Sequence, residues 1–124
     1  REIRLVEDYG DLPLVLLNRE LFEWAIENLI KNAIDAVQGK NGIIEIVTGR
    51  LADSKRVFIE IRDNGCGITA KRRDDVFKAG YSTKKRGWGL GLNFGKRIIE
   101  EYHGGKLYIK ESHASRGTVM RIVL

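Results

Sequence analysis

The sequence has 124 residues, a length that favours one domain with a single core. Hydrophobic residues make up 43% of it and charged residues 31%, so the composition is neither fibrous nor disordered, and no apolar run is long enough to span a bilayer. The net charge of +5 suits an anionic ligand such as a nucleotide, a nucleic acid or an acidic surface, although solubility alone explains such an excess equally well.

The first third of the chain predicts a strand followed by a long helix. Ile3 and Leu5 alternate with polar neighbours, which is the pattern of a strand. After a turn, Asn18 is a good helix N-cap, because its side-chain oxygen can accept a hydrogen bond from a backbone N–H group two or three residues later. The helical pattern covers residues 19–38, and Gly39 is the expected C-cap.

The middle of the chain predicts a β-hairpin and a short helix. Residues 43–47 and 57–63 have the pattern of strands, and the polar residues 51–55 form the loop between them. A short helix is expected over residues 69–76, with Thr69 as its cap.

The last third predicts a loop, a second helix and a second hairpin. Residues 77–88 contain glycines and basic side chains with little periodicity, and we interpret them as a mobile loop. Helical spacing returns over residues 90–102, a strand starts at Leu107, and residues 119–124 form the final strand. This order of elements predicts an α+β fold, in which a mixed sheet carries its helices on one face.

One flank of the first helix carries polar side chains at the margin of its apolar face. Asn28 and Asn32 are four residues apart and therefore adjacent, and Asp35 lies one turn further along the same margin. Their oxygens could serve a hard cation or water bound to phosphate. The alternative is that they are boundary residues satisfied by solvent or by loop backbone.

Two glycine patterns follow further along the chain. Asp63 ends a strand, and Gly65 and Gly67 follow it. The carboxylate could accept a hydrogen bond from an exocyclic amine, and the glycines could let a flat ring approach the backbone. The alternative is an ordinary Asp-Asn-Gly turn. The second pattern leads into a helix and could bind an anion, although it matches neither the dinucleotide fingerprint nor the P-loop. It comprises Gly87, Gly89 and Gly91, preceded by Lys84 and Arg86.

In their order, these patterns resemble the catalytic ATP-binding domain of sensor histidine kinases, within the superfamily that includes gyrase, Hsp90-type chaperones and MutL. Residues 27–36 resemble the N box of that family and residues 63–68 its G1 box. Residues 77–84 resemble the F box, residues 87–92 the G2 box, and residues 117–118 the short motif before the last strand. The resemblance covers nearly the whole chain.

The resemblance implies a Bergerat-type ATP-binding fold. This is a two-layer α/β sandwich, with about three helices on one face of a mixed five-stranded sheet and ATP held under a flexible lid. Asn32 would be the magnesium ligand, Asn28 and Lys84 would have catalytic roles at the phosphates, Asp63 would bind the adenine amino group, and Phe77 would pack the lid hinge. The implied nucleotide-binding residues are Asn28, Lys31, Asn32, Asp35, Asp63, Gly65, Gly67, Ile68, Lys84, Arg86, Gly87, Gly89, Leu90, Gly91, Leu92 and Thr118.

One departure from the superfamily concerns hydrolysis. ATP-hydrolysing relatives carry a glutamate four residues before the metal-binding asparagine, whereas Asn28 occupies that position here, and Glu27 is rotated about 100° from it. We therefore expect a protein-histidine kinase that holds Mg-ATP, hydrolyses it slowly and donates the γ-phosphoryl group to a histidine on a separate dimerisation domain. The chain's own histidines, His103 and His113, are expected to be structural or solvated rather than acceptors.

The resemblance also predicts the setting of the domain. We expect residues 1–124 to be one domain excised from a longer, homodimeric protein, monomeric by itself, facing the cytoplasm and acting indirectly on a response regulator. The single cysteine fits that reducing compartment. Alternatives are a superfamily ATPase, a docking module without catalysis, and a nucleic-acid binder, for which only Tyr81 and Trp88 could stack on bases.

Overall fold

The computed structural model describes residues 2–39, 41–52, 55–78 and 91–124. Within these ranges, five strands form one sheet in the order β1-β2-β3-β5-β4. The strands are β1 (Ile3–Tyr9), β2 (Gly42–Arg50), β3 (Val57–Asp63), β4 (Lys106–His113) and β5 (Gly117–Val123). The helices are α1 (Arg19–Ala36) and α2 (Gly91–Arg97), and α2 continues as a π-helical segment over Ile98–Tyr102.

The sheet is mixed, as predicted. β1 runs parallel to β2, whereas the β2–β3, β3–β5 and β5–β4 pairs are antiparallel. The helices cover one face, and the core lies between them and the sheet. Its members include Ala25, Leu29 and Ala33 from α1, Ile98 and Ile99 from the π-helical segment, and Ile44, Ile61, Leu107, Met120 and Ile122 from the strands.

The first helix is confirmed at its start and is shorter than predicted at its end. The side-chain oxygen of Asn18 accepts a hydrogen bond from the Leu21 N–H at 3.1 Å, which is the expected N-cap. The helix ends at Ala36 with Val37 as its C-cap, so the predicted C-cap at Gly39 is wrong. Gly39 has a φ of +85° and closes the turn beyond the helix.

Two other helix predictions need correction. The short helix expected over residues 69–76 is replaced by two single 3₁₀ turns, Ala70–Arg72 and Asp75–Phe77, and Thr69 makes no side-chain capping hydrogen bond. The second helix is present but changes to π-helical geometry after Arg97. Residues 79–90, which include most of the loop predicted to be mobile, lie outside the described ranges.

The opposite face of the sheet carries a charged cluster in place of a helix layer. Glu60 on β3 is fully buried, and its carboxylate accepts hydrogen bonds from Arg62 at 2.6 Å, from Lys110 at 3.1 Å and from Arg121. Arg121 also lies over the ring of Phe58, 4.8 Å from its centre. The cluster therefore links three adjacent strands on the side away from α1 and α2.

In the described part of the chain, no helix combines the length and the hydrophobicity that crossing a lipid bilayer requires.

Candidate functional site

Asn28 is held at the junction of the two helices. Its amide Nδ2 donates to the Trp24 carbonyl at 2.8 Å, one turn earlier in α1. This leaves Oδ1 directed towards the start of α2, where it lies 3.2 Å from the point that a Cβ atom on Gly91 would occupy. A side chain at position 91 would therefore require the Asn28 amide to move by a few tenths of an ångström.

The turn after β3 packs on the carboxyl end of α1. The Cys66 N–H donates to the Ala36 carbonyl at 3.0 Å, and a Cβ atom on Gly65 would overlap that same carbonyl. Asp63 turns back on its own loop, since its Oδ1 accepts a hydrogen bond from the Gly65 N–H at 2.8 Å. The carboxylate is thereby fixed at the end of β3, beside the last turn of α1.

The same turn is enclosed on its other side by the β4–β5 hairpin. Gly67 has a φ of +77°, and a Cβ atom there would overlap the His113 carbonyl. Gly117 has a φ of +115°, and a Cβ atom there would overlap the Asp63 carbonyl. Both positions therefore require glycine for two reasons: the backbone has a positive φ, and a neighbouring carbonyl leaves no room for a Cβ atom.

A hydroxyl pair links the turn to the final strand. Thr118 is buried opposite Asp63 in the β3–β5 register, and its hydroxyl lies 2.7 Å from that of Ser112 on β4. The Ser112 hydroxyl in turn accepts a hydrogen bond from the Ile68 N–H at 2.7 Å. Sequence reasoning missed Ser112, because a serine in a polar stretch near a turn has no local signal that separates it from an ordinary turn residue.

The two ends of the segment 79–90 are joined by side-chain contacts. Asn93 on α2 donates from Nδ2 to the Phe77 carbonyl at 2.9 Å, and the Lys96 ammonium lies 4.8 Å from the centre of the Phe77 ring. Phe77 itself is partly buried and packs against the core. Asn93 and Lys96 were not predicted, since each reads as an ordinary helix residue until its partner is known.

The predicted residues fall into three groups. Asn32 is half-buried one turn before Ala36, so the flank of α1 that carries Asn28 leads directly to the turn that carries Asp63. Asp35 and Lys31 are exposed at the margin of α1, and Leu92 packs partly buried against the core. The remaining predicted residues, Lys84, Arg86, Gly87, Gly89 and Leu90, lie outside the described ranges.

Both histidines agree with a structural or solvated role. The His103 Nε2 accepts a hydrogen bond from the Asn18 N–H at 3.0 Å. Its Nδ1 lies 2.8 Å from the Ile98 carbonyl, which can only accept, so Nδ1 carries the proton. His113 is exposed at the end of β4.

Comparison with known proteins assigns the family. Residues 18–124 match the family model "Histidine kinase-, DNA gyrase B-, and HSP90-like ATPase". Sporulation kinase C of Bacillus subtilis (strain 168) is 40% identical over 97 residues, which are 78% of this chain and 22% of that protein. The chain belongs to this ATPase family, which binds ATP, and within it to the catalytic domains of sensor histidine kinases.

Solved structures agree with this assignment. The nucleotide-free catalytic domain of histidine kinase ThkA superposes with a TM-score of 0.84 at 29% identity, covering 98% of this chain and 79% of that one. ThkA in complex with the response regulator protein TrrA gives a TM-score of 0.77 at 25% identity, covering 98% of this chain and 34% of that one. In eight of its curated relatives, the matched segment spans between 14% and 24% of the relative's length.

Proposed function

We propose that this domain binds Mg-ATP between α1 and the turn after β3 and donates the γ-phosphoryl group to a histidine on a partner domain. The observation that carries the proposal is the packing of that turn on the carboxyl end of α1. Because Cys66 and Gly65 contact Ala36, the turn that follows Asp63 lies against the same helix that carries Asn28 and Asn32. ATP carries its base and its triphosphate at opposite ends of a ribose. Its binding therefore needs one set of polar groups for the base and a second, separate set for the phosphates.

Asp63 is the proposed acceptor for the adenine amino group. Its Oδ1 already accepts the Gly65 N–H, so the carboxylate is oriented before a nucleotide arrives. Thr118 lies opposite it in the strand register and supplies a hydroxyl on the same side of the sheet. Gly65, Gly67 and Ile68 form the rest of the proposed base-binding surface.

The donor atoms on α1 fit a magnesium ion that is held mainly by phosphates. Mg²⁺ prefers oxygen ligands and takes few of them from protein, keeping phosphate oxygens and water for the rest. The described residues contain no group of three or more histidine, cysteine, aspartate or glutamate side chains placed to hold a metal without a nucleotide. We infer that Asn32 is the protein ligand and that Asn28 orients the phosphates, while the bound ion would neutralise phosphate charge.

Asn28 also accounts for the expected slow hydrolysis. Its Nδ2 is committed to the Trp24 carbonyl, and an amide has no proton-accepting group that could activate water. The residues of this domain would instead orient ATP and exclude competing geometries, leaving the nucleophile to the partner domain. Lys84, Arg86, Gly87, Gly89, Leu90 and Gly91 are proposed phosphate contacts on the strength of the resemblance, with Lys31, Asp35 and Leu92 at the margin.

The proposed setting follows from the relatives. Because the chain spans only a fraction of their length, we infer a longer, homodimeric, cytoplasm-facing kinase that carries its own histidine-bearing dimerisation domain. A response regulator would then take the phosphoryl group from that histidine. The solved complex of ThkA with a response regulator supports this second step.

Nucleotide affinity tests the binding part of the proposal. Asp63→Asn keeps an oxygen for the Gly65 N–H but loses the charge, so we expect Mg-ATP affinity to fall by about tenfold to a hundredfold. Isothermal titration calorimetry measures it, with Asp8→Asn on β1 as the matched control. Equal affinities for both variants, or no binding of the unaltered chain at millimolar Mg-ATP, would reject the assignment and favour a docking module.

Phosphoryl transfer tests the catalytic part. With γ-labelled ATP, the chain should label a histidine on an added dimerisation domain of a close relative while releasing little free phosphate by itself. Asn32→Ala should abolish labelling. Rapid phosphate release without labelled histidine would favour the ATPase alternative.

A further inference from the structure

In the sheet that the described residues form, β1 is an edge strand, and one row of its backbone groups pairs with no other strand. The Glu2 carbonyl accepts from the Gly42 N–H at 3.1 Å, and the Gly10 N–H donates to the Thr48 carbonyl at 2.9 Å. Backbone groups of alternate residues point to the same side of a strand, so the even-numbered residues face β2. The N–H and C=O groups of Ile3, Leu5, Glu7 and Tyr9 therefore point away from the sheet.

The two edges of the sheet differ in how well they could accept another strand. The β4 edge is interrupted by a register shift between Ile109 and Glu111, and such bulges are a usual defence against edge pairing. β1 pairs with β2 over seven consecutive residues without a shift. Three of its apolar side chains are also about half exposed: Ile3 at 46%, Leu5 at 55% and Tyr9 at 58%.

The order of side chains along β1 is self-complementary. If a second copy of β1 pairs with it in antiparallel orientation about Val6, each Arg4 faces Asp8 of the other copy. In the same register Ile3 faces Tyr9, Leu5 faces Glu7, and Val6 faces Val6. Among the described residues, neither Arg4 nor Asp8 takes part in an ion pair.

The backbone geometry agrees with this register. With Val6 at the centre, the outward-facing residues oppose one another, as the hydrogen-bonded positions of an antiparallel ladder require. Shifting the centre to Leu5 loses the ion pairs, because Arg4 then faces Val6. Shifting it to Glu7 brings two glutamates together, which is unfavourable.

We propose that β1 is a homodimerisation edge, at which two copies of this chain join into a continuous ten-stranded sheet centred on Val6. The pairing needs no nucleotide, and it leaves the candidate site open, since β1 lies at the far edge of the sheet from β5 and β4. It differs from the expectation of a monomeric isolated domain, because two ion pairs and a short ladder would stabilise a dimer at high protein concentration.

Disulfide trapping tests both the edge and the register. In a Cys66→Ser background, Val6→Cys would place two cysteines directly opposite each other at a non-hydrogen-bonded pair. Their Cα atoms would be about 4.5 Å apart, a distance that suits a disulfide. Arg4→Cys and Asp8→Cys are matched controls, because each thiol would face a side chain without one. We expect Val6→Cys to cross-link at least tenfold faster than either control, and the Arg4→Cys/Asp8→Cys double variant to cross-link as well.

Charge exchange provides an independent measurement. Arg4→Asp and Asp8→Arg each bring like charges together and should shift the chain to monomer in sedimentation equilibrium at millimolar concentration. The double variant restores both ion pairs and should restore the dimer. Equal trapping rates for all three single cysteine variants, or a monomeric unaltered chain at that concentration, would overturn the proposal, and so would a double variant that stays monomeric.

Discussion

Gly67 and Gly117 hold the turn after β3 in a conformation that other residues adopt only with strain. Sequence reasoning predicted Gly65 and Gly67 as room for a flat ring. The structure adds a second reason, because an added Cβ atom would overlap the Ala36 carbonyl at Gly65 and the His113 carbonyl at Gly67. The sequence could not predict these contacts, because Ala36 is 29 positions from Gly65 and His113 is 46 positions from Gly67.

Gly117→Ala tests how strongly the site depends on this packing. The left-handed φ alone costs about 1–2 kcal/mol, and overlap with the Asp63 carbonyl should raise the loss of unfolding free energy to about 3 kcal/mol or more. Gly104→Ala is the matched control, because Gly104 has a φ of +65° with no atom within 4 Å of the added carbon. Urea unfolding of the two variants measures the difference, and equal losses would contradict the packing argument.

His103 illustrates a residue whose role is decided by distant partners. It joins the N-cap of α1 to the end of the π-helical segment and packs edge-on against Phe22, with ring centres 5.9 Å apart. His103→Ala should therefore lower the unfolding free energy by about 1–3 kcal/mol. His113→Ala, at an exposed position, should change it by less than about 0.5 kcal/mol. Thermal unfolding compares them, and similar effects would show that the His103 bonds contribute nothing.

At the scale of elements, β3 serves both faces of the sheet. Its odd-numbered residues Ile59, Ile61 and Asp63 lie on the side that faces the helices. On the other side, the Glu60 carboxylate accepts hydrogen bonds from basic side chains of β3, β4 and β5. Alternation predicted the strand bounds correctly. It did not predict the cluster, because Lys110 and Arg121 are 50 and 61 residues away from Glu60.

Glu60 should make stability depend on pH below the usual carboxylate range. Burial alone would raise the pKa of Glu60, but hydrogen bonds from Arg62, Arg121 and Lys110 outweigh burial and lower the pKa from 4.5 to about 2. The folded pKa lies below the unfolded value, so the contribution is complete above pH 4.5 and is lost as pH falls towards 2. The loss should reach about 3 kcal/mol at most.

Glu60→Gln tests this dependence. The variant leaves three cations without their carboxylate and should be less stable at neutral pH by about 3 kcal/mol. It should also lose less stability than the unaltered chain between pH 4.5 and 2, as measured by urea unfolding at each pH. Glu111→Gln on β4, where the carboxylate is exposed, is the control. Parallel pH profiles for the unaltered chain and Glu60→Gln would contradict the assignment.

At the scale of the whole molecule, the sequence by itself determined the order of the elements, the mixed sheet and the family. These follow from local signals: alternation in the strands, the Asn18 cap, and motifs whose residues are close in sequence. Only the tertiary structure decided that the turn after β3 rests on Ala36, that Asn93 holds Phe77, and that α2 ends in π-helical geometry. Each of these depends on a contact between segments far apart in the chain, and side-chain periodicity within one element carries no information about such a contact.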